Sequence, residues 1–265
     1  MAKVTQLKPV SGKAGVNSLP RPIEKVRDRY VSLASSYLED MLDGADDTLY
    51  DLAEKEAEGE RERFFDAMRE VRIQRSGLVA GLKQSLQHQF AELAQLREGG
   101  ILENTKVDLE SLTLVNEDDL ETTVALDNMA RRARNGCDEQ LKVLCHRLEY
   151  LFESKVEVGE KNNPLEPRQL VDAFSQGLER LSLDIKARLI ILKLFEREVL
   201  VETGYMVTEV NKVLIDAGVL PDMKSAPIAP VRKPGNRSLA QSASSQSPAP
   251  SSAGNDQMFS LLQEL

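Results

Sequence analysis

The feature that most constrains this chain is the recurrence of apolar residues every three or four positions, almost without a break, from Ile23 to Ile215. At 3.6 residues per turn that spacing gathers the apolar residues on one side of a helix, whereas a half-buried strand alternates with period two. From Ile23 the set Val26, Tyr30, Leu33, Ala34, Leu38, Met41 and Leu42 makes one helical face, with Gly44 expected as its C-terminal stop. Asp46 or Asp47 is expected to cap a second helix bearing Leu49, Leu52 and Ala53. The run from Glu60 to Arg97, with Phe64, Phe65, Met68, Val71, Leu78, Val79, Leu82, Leu86, Phe90, Leu93 and Leu96, reads as one very long helix. Gly77 and Gly81 are unfavourable in a helix interior, so a kink or a close helix contact is expected there.

Gly99-Gly100 closes that run, and Val107 to Val115 reads as an extended connector. Asn116 followed by Glu117-Asp118-Asp119 has the form of an N-cap with acidic residues in the first turn, opening a helix through Leu120, Val124, Leu126 and Met129. Asn135-Gly136 interrupts it, after which Leu141, Leu144, Cys145, Leu148, Leu151 and Phe152 form a new stripe. NNPLEP at 162–167 is a turn leading into a helix with Leu170, Ala173, Phe174 and Leu178, and Ser182 or Asp184 is expected to cap the next one. That helix, within LDIKARLIILKLFEREVL, is apolar on more than one face and is therefore expected to be central, with Ile190 and Phe195 in the core. A final helix carries Tyr205, Met206, Val210, Val213, Leu214 and Ile215, and Gly218 with Pro221 ends it.

The expected fold is all-α: a multi-helix bundle over 22–222, after a disordered N-terminal tail at 1–21 and before a Ser/Pro-rich disordered linker at 223–257. The hydrophobic share is 41% but Trp is absent, so the core must come mainly from Leu, Ile, Val, Ala and Met. MFSLLQEL at 258–265 follows the linker, and Met258, Phe259, Leu261, Leu262 and Leu265 can form one side of a short helix. This segment reads as a docking motif for another protein or for the chain's own bundle, or as the start of a truncated next domain. A homo-oligomer is compatible with either.

A formal charge of −9 disfavours general binding to nucleic acid or to anionic membranes, because both would repel the chain at long range. No run of about 18 apolar residues spans a membrane, and the N-terminus has no apolar signal core, so a cytoplasmic location is expected. Cys137 and Cys145 sit eight apart, about 12 Å along a straight helix, too far for a disulfide and consistent with a reducing compartment. Cys145 reads as a small buried hydrophobe, and His146 beside it as a helix-surface or interhelical hydrogen-bonding residue. With His88 standing alone and no paired Cys spacing, no metal or cofactor is expected.

Asp43, Asp46, Asp47 and Asp51 fail the register of a calcium loop and are expected to serve at a helix start. Arg61, Arg63, Arg69, Arg72 and Arg75 form one basic stretch, and Arg131, Arg132 and Arg134 a second. Because the acidic segment 40–60 directly precedes the first stretch, charge pairing inside the bundle is the expected role. No Walker loop, GxGxxG, GxSxG or HExxH sequence occurs.

The segments GADDTLYDLAEKEAE, FFDAMREVRIQR, LTLVNEDDLETTVALDNM, LCHRLEYLF, NPLEPRQLVDAF and NKVLIDAGVLP, in that order, resemble the N-terminal part of the bacterial domain-of-unknown-function family 1631, over residues 25–222. The resemblance implies a piece of a larger cytosolic bacterial protein, with no catalytic or binding residues to carry over. The leading expectation for function is a non-enzymatic helical scaffold or regulatory protein–protein interaction module. One alternative is a cyclic di-GMP signalling component, although RxxxR is absent and Arg232 to Arg237 is one residue too long. The other is an enzyme, which would need a deep pocket with perturbed carboxylates or a histidine, and none is expected.

Overall fold

A computed structural model of the chain describes residues 19–97, 117–153 and 155–231. The described residues are mainly helical, with no strand among them. In chain order the helices are α1 (Arg21–Ala53), α2 (Glu58–Arg97), α3 (Glu117–Asn135), α4 (Asp138–Leu151), α5 (Pro167–Leu178) and α6 (Ile185–Glu198). A single 3₁₀ turn at Leu200–Glu202 then leads into α7 (Thr203–Asp216).

α1 and α2 form a long antiparallel hairpin. The direction is readable from its ion pairs: Glu39–Lys83, Asp43–Arg75 and Asp46–Arg72 step up one helix and down the other. Charge pairing inside the bundle thus accounts for Arg72 and Arg75. Arg63 and Arg69 instead pair with Glu60 and Asp66 on their own helix. Arg61 donates to the Glu56 carbonyl.

The expected stop at Gly44 does not occur, and Asp46 and Asp47 cap nothing, because α1 continues to Ala53. The apolar phase explains this: Leu38, Met41, Leu42, Ala45, Leu49 and Ala53 keep three-and-four spacing through the glycine and are all buried. Burying those side chains outweighs the roughly 1 kcal/mol that one interior glycine costs. Capping therefore does not explain the acidic cluster: Asp43 and Asp46 reach α2, while Asp47 and Asp51 lie exposed on the outer face.

α1 packs on α2, α7 and α6, α5 lies across α2 and α3, and α4 lies against α7. The aliphatic core runs through all seven helices, from Ile23 and Val26 on α1 to Val210 and Leu214 on α7. Phe195 is fully buried and stacks on Phe174 of α5, with ring centroids 4.0 Å apart and planes 10° apart. Ile190, also expected in the core, is only half-buried and packs against a satellite cluster of Leu49, Ala53 and Phe64. α6 turns its Phe195 face inward and leaves Ile190 near the tip of the α1–α2 hairpin.

The expected break at Asn135-Gly136 separates α3 from α4, and Pro167 opens α5. Of the two residues proposed to cap α6, Asp184 does so, accepting from the Lys186 N–H, and Ser182 does not. α2 runs unbroken through Gly77 and Gly81, and neither marks a close helix contact. The close approach is on the other helix: a Cβ on Gly177 of α5 would stand 3.2 Å from Leu78 Cδ2. Gly99-Gly100, the connector 107–115, Asn116 and the segment MFSLLQEL lie outside the described residues.

Candidate functional site

The sequence places the end of folded chain at 222, yet contacts continue to Val231. After α7 the chain reverses in a Schellman turn: Gly218, at φ +76°, donates to the Ile215 carbonyl and Val219 donates to that of Leu214. Leu220 also holds positive φ, at +43°. Residues 221–231 then run back along α7 as an extended strap.

Side chains of α4, α7 and the 3₁₀ turn hold the strap by its backbone. Arg147 of α4, 1% exposed, donates to the carbonyls of Leu220 and Met223 and to Asn211 Oδ1. Asn211 in turn donates to the carbonyls of Gln140 and Val207. Gln140 Nε2 donates to the Ala226 carbonyl at 2.6 Å. Thr208 Oγ1 accepts from the Ile228 N–H at 3.1 Å, and Glu202 Oε2 from the Val231 N–H at 3.1 Å.

Where these bonds cross α7, the Ile228 side chain seats over Gly204. A Cβ at that position would stand 2.7 Å from Ile228 Cδ1 and 3.2 Å from its Cγ2, so any larger residue there forces the Ile228 side chain to shift. Gln140, Arg147, Glu202, Thr208 and Asn211 are all buried polar residues, and all five belong to the hydrogen-bond network that holds this one segment. Burial pulls the Arg147 guanidinium below its ordinary range, and no carboxylate among the described residues offsets it.

Sequence reasoning missed this groove. The only signals were polar residues inside apolar stripes, Arg147 beside Leu148 and Thr208 and Asn211 among Val207, Val210 and Leu214, together with one aliphatic residue between two prolines in the supposed linker. Averaging composition over 223–257 hid Ile228.

A second feature lies at the other side of α4. A cleft of about 200 Å³ between α3 and α5 is lined by Asp127, Ala130, Arg131, Arg134, Glu160, Glu166 and Arg168. The Glu166 side chain is 2% exposed and pairs with Arg134. Burial holds its carboxyl above the ordinary carboxylate range against the pull of Arg134, so the cleft does contain the perturbed acid that sequence reasoning did not expect. Arg168 bridges Asp127 and Asp172. Arg132 of the second basic stretch pairs with Glu196 at 2.9 Å. The Arg134–Glu166 and Arg168–Asp127 pairs neutralise part of the cleft from within.

Cys137 is buried at the start of α4, and burial pushes its thiol up to about 12. Cys145 is half-buried rather than fully buried, touches the Asn163 amide at 3.6 Å, and is pushed up to about 11 by burial. Both are free thiols. His146 sits on the helix surface beside Glu149, and His88 is exposed at the rim of a groove between α2 and α5. Among the described residues no three His, Cys, Asp or Glu side chains group as metal ligands, and no helix is long and apolar enough to cross a membrane.

The fold and groove define an all-helical domain that binds its own extended C-terminal strap. Residues 18–218 match the family model described as the N-terminal domain of a protein of unknown function (DUF1631), and the chain belongs to that family. No curated protein and no solved structure matches the chain.

Proposed function

We propose that this chain is a non-enzymatic, helical protein–protein interaction module, a scaffold or regulatory part of a larger bacterial cytosolic protein. The observation that carries the reading is the α4–α7 groove, whose buried side chains grip an extended segment by its backbone carbonyls and N–H groups. Affinity for a polypeptide is the chemistry such a surface supplies, since donors and acceptors spaced along a groove match a peptide main chain. Met258, Phe259, Leu261, Leu262 and Leu265 would supply a second contact by docking in a groove of another protein, of a second copy or of the chain's own bundle, since their spacing suits one side of a short helix.

The test is affinity capture with the full chain as bait, alongside light scattering for its oligomeric state. A partner, or a second copy, is expected to be retained and to be lost when Phe259 and Leu262 are both replaced by Asp. A chain that stays monomeric and captures no protein sinks the proposal.

A further inference from the structure

We propose that the α4–α7 groove is a recognition site for an aliphatic residue flanked by prolines in an extended peptide. Residues 225–231 occupy it in cis, and a segment of the same chemistry in a partner protein displaces them. This rests on the interaction-module reading and names the kind of partner.

The groove reads main chain at spaced points: the Ala226 carbonyl through Gln140, the Ile228 N–H through Thr208 and the Val231 N–H through Glu202. None of these bonds depends on which side chains the peptide carries. Selectivity comes from the notch over Gly204, which accepts one branched aliphatic side chain. It comes equally from backbone conformation, since Pro227 and Pro230 fix φ near the polyproline value on either side of Ile228. A peptide stiffened in this way loses little entropy on docking, as in other proline-flanked recognition.

The strap is also the kind of occupant that can be exchanged. Ala226, Pro227, Ala229 and Val231 are exposed, so Ile228 is its chief apolar anchor. The groove side is fixed by comparison: Thr208 donates to the Gly204 carbonyl and Asn211 to those of Gln140 and Val207, so the binding groups stay oriented when the strap leaves. Its tether adds to these backbone bonds by presenting the strap at an effective concentration on the order of millimolar. A free peptide must compete with that, and weakening the strap lets it win.

The probe is a fluorescein-labelled synthetic peptide of residues 223–232, titrated by anisotropy into the full chain and into full-chain Ile228→Asp. The variant is expected to bind at least about tenfold more tightly than the wild type, because the peptide no longer competes with an anchored tether. Adding Gly204→Ala is expected to reduce that binding at least about tenfold, by crowding the notch against the peptide's isoleucine. A folded Ile228→Asp chain, judged by an unchanged helical circular dichroism spectrum, that binds no peptide overturns the proposal. The wild-type chain gives an independent reading: unlabelled peptide at about millimolar concentration should accelerate amide exchange of residues 224–231, and unchanged protection there overturns it as well. If the peptide fails while the chain still captures a protein partner, the groove assignment falls and the interaction-module reading stands.

Discussion

Arg147 is the residue on which the C-terminal part of the structure turns, and Arg147→Met tests it while keeping the apolar stem. The guanidinium is the donor to Asn211 Oδ1 and to the Met223 carbonyl, deep between α4 and α7. Losing it strands the Asn211 oxygen, at roughly 1–3 kcal/mol for a buried acceptor, and frees a carbonyl that can turn to water, at roughly 0.5–1.5 kcal/mol. Relief from burying an unpaired guanidinium acts in the opposite direction, because taking a charge out of water is costly. The net expectation is a loss of about 2 kcal/mol, which for a domain of this size lowers Tm by about 4–8 °C. Thermal unfolding by circular dichroism reads the global effect. Amide-exchange mass spectrometry reads the local one, with faster exchange expected over residues 219–231. An unchanged Tm with unchanged protection of that segment would show that Arg147 is tolerated in the core without anchoring the strap.

Phe195→Ala removes one ring of the buried Phe174–Phe195 stack and should cost about 3–5 kcal/mol in urea unfolding; a loss under about 1 kcal/mol would take α6 out of the core. Asp184→Ala should cost about 1 kcal/mol through loss of the cap on the Lys186 N–H, whereas Ser182→Ala should cost nothing measurable. Cys145, raised from 9.0 to about 11, should react with a disulfide reagent at pH 8 about tenfold more slowly than an unperturbed thiol, the smaller thiolate fraction being partly offset by its greater nucleophilicity, and equal rates would contradict its burial. The same shifts set an alkaline limit: above pH 9.0 the unfolded thiols ionise while Cys137 stays protonated to about 12, so stability should fall as pH rises through that window. Replacing both cysteines by Ala should flatten that fall, as measured by urea midpoints across pH.

Helical character, the positions of most helices and their apolar faces were legible from residue spacing alone, because each follows from periodicity along one chain. Asn135-Gly136, Pro167 and the stripe from Leu141 to Phe152 were legible for that reason. Tertiary structure decided what spacing leaves open. It carried α1 through Gly44, since burial of Ala45, Leu49 and Ala53 against neighbouring helices outweighs a local stop signal. It turned Asp43 and Asp46 from supposed helix-start residues into partners of Arg75 and Arg72 on a helix about thirty residues away. The groove was the least legible feature. Arg147, Thr208, Asn211 and Gly204 are scattered over two helices, and each alone is a minor irregularity in an apolar stripe. Only when α4 packs beside α7 do they become a row of donors, acceptors and one vacant Cβ position, because a site made of long-range neighbours has no period that a sequence can display.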